Sequence, residues 1–351
     1  VTVPLPSRWV RRLLLDPLVW FFGFWLLVLA LPYLVLLLLV LSFVLPGKWR
    51  LLRITGFAIV YLVLEVVLMP IALGAWVLAG FGRSLGEPHW IEFHYRVLDY
   101  ALRLLFWFGS RQFSLTVTTD GPALPGDDND PTTTEHPLLV LSRHGGPGDS
   151  FLLVHEILSW SGRRPRIVLK DTLQLDPMID IYLNRVPTRF LDPRSMTQGA
   201  SLAAIAELAA TMRRNDALLI FPEGANVTPR RRLRAIERLR ASGRMEAAQR
   251  AERIVHLMPP RPGGVHAALI ANPDVHVVVV AHTGLDRLAT VGDIWREVPM
   301  AKALHLRWDA VPASEVPTSQ DGIADWLLDE WEQMDAWVDS HQRRADPADQ
   351  W

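Results

Sequence analysis

The stretch Ser142-Arg143-His144-Gly145-Gly146-Pro147-Gly148-Asp149-Ser150 sets a histidine and an aspartate, four residues between them, on a turn rich in glycine and proline. A histidine held by a carboxylate is a general base. The backbone N–H groups of Gly145, Gly146 and Gly148 are candidate oxyanion donors. Spacing alone does not select this pair, because His94 with Asp99 and His341 with Asp346 repeat it. Those two fall in or beside helical patterns, where a five-residue step turns a side chain by roughly 140° and points the partners apart. Only around His144 do glycines and Pro147 let the chain fold back so that Asp149 reaches the ring. The competing reading is that Asp149 caps the next helix and His144 is an ordinary loop residue. Spacing and turn leave both open.

A second carboxylate lies downstream. Ala217-Leu218-Leu219-Ile220-Phe221 is apolar throughout and runs into Pro222-Glu223-Gly224. α/β sheets place their ligand sites beyond the carboxyl ends of such strands, although an ordinary strand-ending turn with an exposed Glu223 has the same sequence. Ser142 and Ser150 are further nucleophile candidates, but a Gly-x-Ser-x-Gly elbow is missing from this turn.

Both motifs need a framework, and periodicity predicts one. Strands are expected at 138–142, 166–169, 188–191, 217–221, 275–281 and 304–308, with Gln112 to Thr119 alternating as a further strand. Helices are expected at 150–160, 176–184, 198–213, 230–253, 264–271 and 320–341. Strand–helix alternation is the pattern of an α/β layer fold. The stretch from Asp120 to Glu135, rich in Pro, Asp and Thr, reads as a surface loop.

Ahead of this framework the composition changes. Leu18 to Leu45 holds 28 residues without a charge, about 42 Å as a helix against a bilayer core of roughly 30 Å. A second apolar run, Ile54 to Gly82, is interrupted by Glu65 and Pro70. Two spans fit, and so do two re-entrant hairpins broken near Pro32 and Pro70. Basic residues on both flanks of the first run (Arg8, Arg11 and Arg12; Lys48, Arg50 and Arg53) favour a hairpin whose ends share one side. Glu65 is expected to be packed or hydrogen-bonded rather than catalytic. His89 to Phe108 is amphipathic, suited to the headgroup plane or to the core of the following domain.

Composition excludes several chemistries. With no cysteine, thiol catalysis, disulfides and cysteine metal sites are ruled out. Charge is balanced at 36 basic and 37 acidic residues, so no global field argues for nucleic acid. No ligand-type residue has a spacing that ties a metal to His144. Arg230 to Arg253 holds nine arginines and three glutamates, read as a solvated helical face or a surface for anionic headgroups. The acidic C-terminal helix with Trp326, Trp331 and Trp337 is expected to dock on its own domain.

With His144…Asp149 followed by Phe221-Pro222-Glu223-Gly224, Glu223 lying 79 residues after His144, the sequence resembles the PlsC-type lysophospholipid acyltransferases (1-acylglycerol-3-phosphate acyltransferases). The likeness covers roughly residues 110 to 310 and takes in Val277-Val278-Val279-Val280 as the family's fourth block. It implies an α/β fold, a mixed sheet flanked by helices of the glycerolipid acyltransferase type, preceded by N-terminal membrane helices. The implied organisation is a membrane-anchoring region at 1–86, an amphipathic interfacial helix at 87–111, an acyltransferase domain at 112–318 and an acidic helix and tail at 319–351. The implied reaction moves a fatty acyl group from acyl-CoA or acyl carrier protein, as co-substrate and without a cofactor, to the free hydroxyl of lysophosphatidic acid at the cell membrane, with the catalytic domain on the cytoplasmic side. The alternatives are the same chemistry on glycerol 3-phosphate, another lysophospholipid or a glycolipid, or a non-catalytic membrane lipid-binding protein. The resemblance makes His144 the base and Asp149 its orienter. Phe221, Pro222, Glu223 and Gly224 become acceptor contacts, and Arg194, with Arg189 as competitor, the clamp for the acceptor phosphate. The chain departs from the family at Arg143, at Ala225-Asn226 and in the fourth block, which lacks its usual proline; these positions are expected to touch the acceptor.

Overall fold

The structure is a computed structural model, and it describes residues 5–44, 49–120, 136–146, 148–192, 198–286, 291–300, 303–311 and 313–345. The chain forms two compact units: Val1–Leu115 with Leu169–Ser195 and Trp295–Lys302, and Thr116–Val168 with Met196–Ile294 and Ala303–Trp351.

In the first unit, helix α1 (Arg8–Val44) and helix α2 (Arg50–Leu78) are each long and apolar enough to cross a membrane. Only 11% and 22% of their most apolar windows are buried within the protein, so neither is the core helix of a globular domain. Phe22, Leu29, Tyr33 and Phe43 of α1 and Leu73 and Leu78 of α2 stand exposed. The two helices pair: Trp20 Nε1 donates to the Val66 carbonyl at 2.9 Å, and a side chain on Gly23 would meet Leu62 at 3.0 Å. Neither proline breaks its helix, as the re-entrant alternative required. Two π-type turns, Arg11–Leu15 and Leu26–Ala30, lie just ahead of Pro17 and Pro32, and they absorb the carbonyl clash and missing donor of each ring.

Helix α3 (Pro88–Phe113) lays Ala101 and Leu105 into a cluster with Leu64, Leu68, Met69 and Ala72 of α2. Its buried face therefore belongs to the apolar pair and not to the core of the sheet domain. The helix runs through Phe113, which packs on Phe57 at 5.3 Å between ring centroids. That contact overrides the alternation read from Gln112 onward, and Ser114 ends the helix in the left-handed region. Glu65 is buried and accepts the Met178 N–H at 3.4 Å. Arg11 and Arg12 bind the buried carboxylate of Asp180 at 2.9 and 2.7 Å.

The second unit holds a sheet of six strands. They are β1 (Thr116–Asp120), β2 (Leu138–Ser142), β3 (Arg164–Lys170, whose last two residues count with the first unit), β5 (Asp216–Ile220), β6 (His276–Thr283) and β7 (Ala303–Val311). Their order is β1-β7-β6-β2-β5-β3; β4 (Thr188–Leu191) belongs to the first unit. All pairings within the six are parallel except β6 with β7, so the sheet is mixed, as expected. Every residue of β2 and β5 is buried, which explains their unbroken apolar runs. Leu139, Leu141, Leu218, Ile220, Val277 and Val279 form one core with α6 (Gln198–Ala210), α9 (Pro262–Ala271) and α11 (Gln320–Ala345). Truncating one of these leucines to alanine costs about 2–5 kcal/mol.

The arginine-rich stretch is two helices, α7 (Pro229–Ala241) and α8 (Met245–Arg253), and not the single one expected. Gly243 takes φ +78°, and Arg244 N–H bonds back to the Leu239 carbonyl at 3.0 Å, a glycine-terminated helix end. The proposed loop at 120–135 lies, from 121 on, outside the described residues.

Candidate active site

Register brings the two motifs together. β2 and β5 are parallel neighbours with Leu141 paired to Ile220. Both chains therefore leave the sheet at the same level, one into His144 and the other into Phe221-Pro222-Glu223-Gly224. On the other side of β2, Ser142 pairs with Val280 of β6, which brings His282 and Thr283 alongside.

The turn folds back as its glycines allow. His144 Nδ1 lies 2.7 Å from Asp149 Oδ2. Asp149 is fully buried and is the first residue of helix α4 (Asp149–His155), not its cap. Its Oδ2 also accepts the Gly146 N–H at 3.2 Å, and Oδ1 accepts the Ser150 N–H at 2.6 Å. Burial by itself raises the Asp149 pKa, but the hydrogen bond and charge of His144, with the Gly146 amide, outweigh it and hold the carboxyl below its usual value. Gly146 corrects one expectation: its amide faces Asp149 and not an open cavity. A side chain there would stand 2.9 Å from the Leu285 carbonyl, so only glycine fits. Pro147 lies outside the described residues.

With Nδ1 committed to the carboxylate, His144 Nε2 is the position from which a proton can be taken. Its side chain is 24% exposed, and Phe221 stacks on the ring at 4.6 Å between centroids. Neither serine hydroxyl is aimed outward: Ser142 Oγ donates to the Val280 carbonyl and Ser150 Oγ to Asp149.

Glu223 is wholly buried, which replaces the exposed strand-end carboxylate considered from sequence. Its Oε1 accepts from Trp331 Nε1 at 3.2 Å, and the amides of His144 and Met258 also face it. Burial pushes its pKa up to about 7, against the opposing pull of Arg143, Trp331 and those two amides. Glu223 is thus fixed by Trp331 and packed close to the backbone of the catalytic turn. Pro222 is buried and its carbonyl accepts the Arg261 N–H at 3.0 Å. Gly224 is exposed, and the Arg261 guanidinium stands over it, 3.4 Å from where a side-chain carbon would lie.

Arg143, expected at the acceptor surface, is instead 2% exposed. It donates to the His282 carbonyl at 2.9 Å and the His256 carbonyl at 3.3 Å, and pairs with Asp286. His282 Nε2 donates to the Arg143 carbonyl at 3.1 Å; burial and the Arg143 charge push its pKa down to about 4, so the ring is neutral. Helix α11 locks this support in place. Its Asp335 accepts the amides of Val255 (3.1 Å) and His256 (2.6 Å), fixing the loop that carries the His256 carbonyl. His282 and Asp286 were not singled out from sequence, and Trp331 and Asp335 were read there only as part of a docking helix; no local spacing could have found the contacts these four make.

Arg189 lies exposed on β4 in the first unit, and Arg194 lies outside the described residues. Of the nine arginines at 230–253, Arg232 donates to the Ile254 carbonyl at 2.7 Å and Arg250 binds Glu332 at 2.9 Å. These two hold α7, α8 and α11 together instead of facing a ligand.

Residues 125–283 match the family model described as Acyltransferase. Over 186 residues the chain is 24% identical to an uncharacterized acyltransferase of Schizosaccharomyces pombe, covering 50% of this chain and 51% of that one. The chain thus spans about half the length of the curated relative it matches. Among solved structures it is similar to the 1-acyl-sn-glycerophosphate (LPA) acyltransferase PlsC from Thermotoga maritima, at 13% identity over 96% of this chain and 98% of that one. The TM-score is 0.44, too low to carry that structure's geometry over.

Proposed function

We propose, from the two motifs and the match of residues 125–283 to the Acyltransferase family model, that this chain transfers a fatty acyl group from a thioester donor to the free hydroxyl of a lysophosphatidic acid. The donor is acyl-CoA or acyl carrier protein. The observation that carries the reading is the 2.7 Å contact between His144 and a buried Asp149 at the carboxyl edge of the sheet.

His144 Nε2 takes the acceptor hydroxyl proton as the oxygen attacks the thioester carbonyl. The carbon–sulfur bond then breaks, and the imidazolium returns the proton to the leaving thiolate. Asp149 fixes the tautomer and stabilises the imidazolium. Glu223, buried and bonded to Trp331, acts on the acceptor indirectly, through the turn it packs beside. Gly145 and Gly148 remain the candidate amides for the oxyanion. The acceptor phosphate calls for an arginine fork. Arg189 and Arg194 are the candidates from the resemblance, and Arg261 beside Gly224 is the candidate the geometry adds; among the described residues no carboxylate pairs with it. The α1–α2 pair anchors the enzyme in the membrane, where acceptor and acyl chain reside.

An acceptor panel tests the reading. Detergent-solubilised enzyme is given labelled acyl-CoA with lysophosphatidic acid, glycerol 3-phosphate, lysophosphatidylcholine or no acceptor. Labelled phosphatidic acid should dominate, and Arg261→Gln should raise KM for lysophosphatidic acid about tenfold at unchanged kcat. Free fatty acid forming equally without acceptor would mark a thioesterase and overturn the proposal.

A further inference from the structure

A second group of titratable side chains lies on the sheet domain away from the two motifs. Asp120 ends β1, His305 is on β7, and His341 is near the end of α11. Their nearest donor atoms all lie within 4.8 Å of one another, and none of the three takes part in the chemistry described above.

The hydrogen bonds around the cluster leave it a proton short. His341 Nδ1 lies 2.9 Å from the Trp337 carbonyl, which only accepts, so Nδ1 carries the hydrogen. Ser340 Oγ, 3.2 Å from the same nitrogen, already donates to that carbonyl at 2.7 Å. On the far side of the ring, Nε2 lies 2.9 Å from Asp120 Oδ2, which also only accepts. The ring is satisfied as an imidazolium, or with its Nε2 lone pair on a cation shared with Asp120. His305 discriminates between the two. Its Nδ1 lies 2.8 Å from Thr118 Oγ1, which can pass its own proton toward the Leu304 carbonyl at 3.4 Å. In that arrangement Nδ1 carries the hydrogen and Nε2 keeps its lone pair. A simple ion pair explains Asp120 and His341 but gives no reason for a second imidazole tilted against the first at 4.8 Å between centroids.

The geometry points to a divalent-cation site of the zinc class formed by Asp120, His305 and His341. Two imidazoles, each hydrogen-bonded through its Nδ1, and a carboxylate are the ligand set that Zn²⁺ accepts and that hard oxygen-seeking Mg²⁺ does not favour. Ligand bonds of roughly 2.0–2.2 Å require the three groups to close by about an ångström, with water at the fourth position. The site ties the end of β1 and the start of β7 to α11. Ten residues earlier, about 15 Å along the same helix, α11 presents Trp331 to Glu223. Bound metal therefore stiffens the helix that supports the catalytic turn, without entering the reaction.

Full-length protein purified without a polyhistidine tag and stripped with chelator is titrated with Zn²⁺ by calorimetry and followed by thermal melting. One Zn²⁺ should bind per chain, and a hundredfold excess over Kd should raise Tm by roughly 5 °C or more, with Mg²⁺ giving no rise. His305→Gln and His341→Gln should each abolish both effects, while His276→Gln keeps them. Co²⁺ should give visible bands of a tetrahedral nitrogen–oxygen site, a readout that survives if a variant folds poorly. Wild-type protein that binds no Zn²⁺, or His305→Gln that binds it unchanged, overturns the site.

Discussion

His94–Asp99 and His144–Asp149 share one spacing and have nothing else in common. In α3 the step of five points the partners apart: His94 Nδ1 bonds the Trp90 carbonyl at 2.6 Å, and Asp99 pairs instead with Arg103 at 2.9 Å. The His94 ring is wholly buried and faces Arg185 at 3.0 Å; burial pushes its pKa down to about 4, so it is a neutral packing element. At the end of β2 the same spacing closes through a glycine turn into a 2.7 Å contact and leaves the ring partly open. The backbone between the residues, not the residues, decides which pair can move a proton.

Substitution at each histidine breaks the comparison most sharply. His144→Ala should lower acyl transfer by about 10²-fold or more with little change in melting temperature. His94→Ala should do the reverse, keeping turnover per folded molecule within about twofold while destabilising the first unit by about 1–3 kcal/mol, since it leaves Arg185 short of a buried partner. These are read as single-turnover rates and melting curves on the same preparations.

A smaller effect separates Glu223 from Asp149, the two buried carboxylates near His144. Asp149 is depressed, so its contribution to stability is present at neutral pH and is lost only as pH falls into the acid range through its folded value. Glu223 is raised from 4.5 to about 7, so its contribution is full below about 4.5 and is lost as pH rises through about 7. Glu223→Gln should therefore remove a decline in stability between pH 5 and 8, on the order of 3 kcal/mol, measurable by denaturant unfolding across that range.

The same contrast shows what can be read from sequence. His144, Asp149 and the Phe221–Gly224 turn were legible because each hangs on a local signal: an apolar strand, then glycine or proline. Their coming together rests on 138–142 and 217–221 being parallel neighbours, a pairing not read from the sequence. The supports were not legible either. Trp331 meets Glu223 from 108 residues away and Arg143 meets His282 from 139 away, and no periodicity encodes such contacts. Phe113 was misread because its docking on Phe57 outweighs local alternation. The break at Gly243 was legible as Ser242-Gly243 inside a helical pattern, and the run of arginines around it hid the signal.

The central claim is that Asp149 makes His144 a base, and the most direct measurement is the single-turnover rate of acyl transfer by Asp149→Asn at saturating donor and acceptor. With the carboxylate exchanged for an amide of equal size, the rate should fall by about 10²-fold or more while the melting temperature stays close to wild type. A folded Asp149→Asn enzyme that turns over at the wild-type rate would contradict the account.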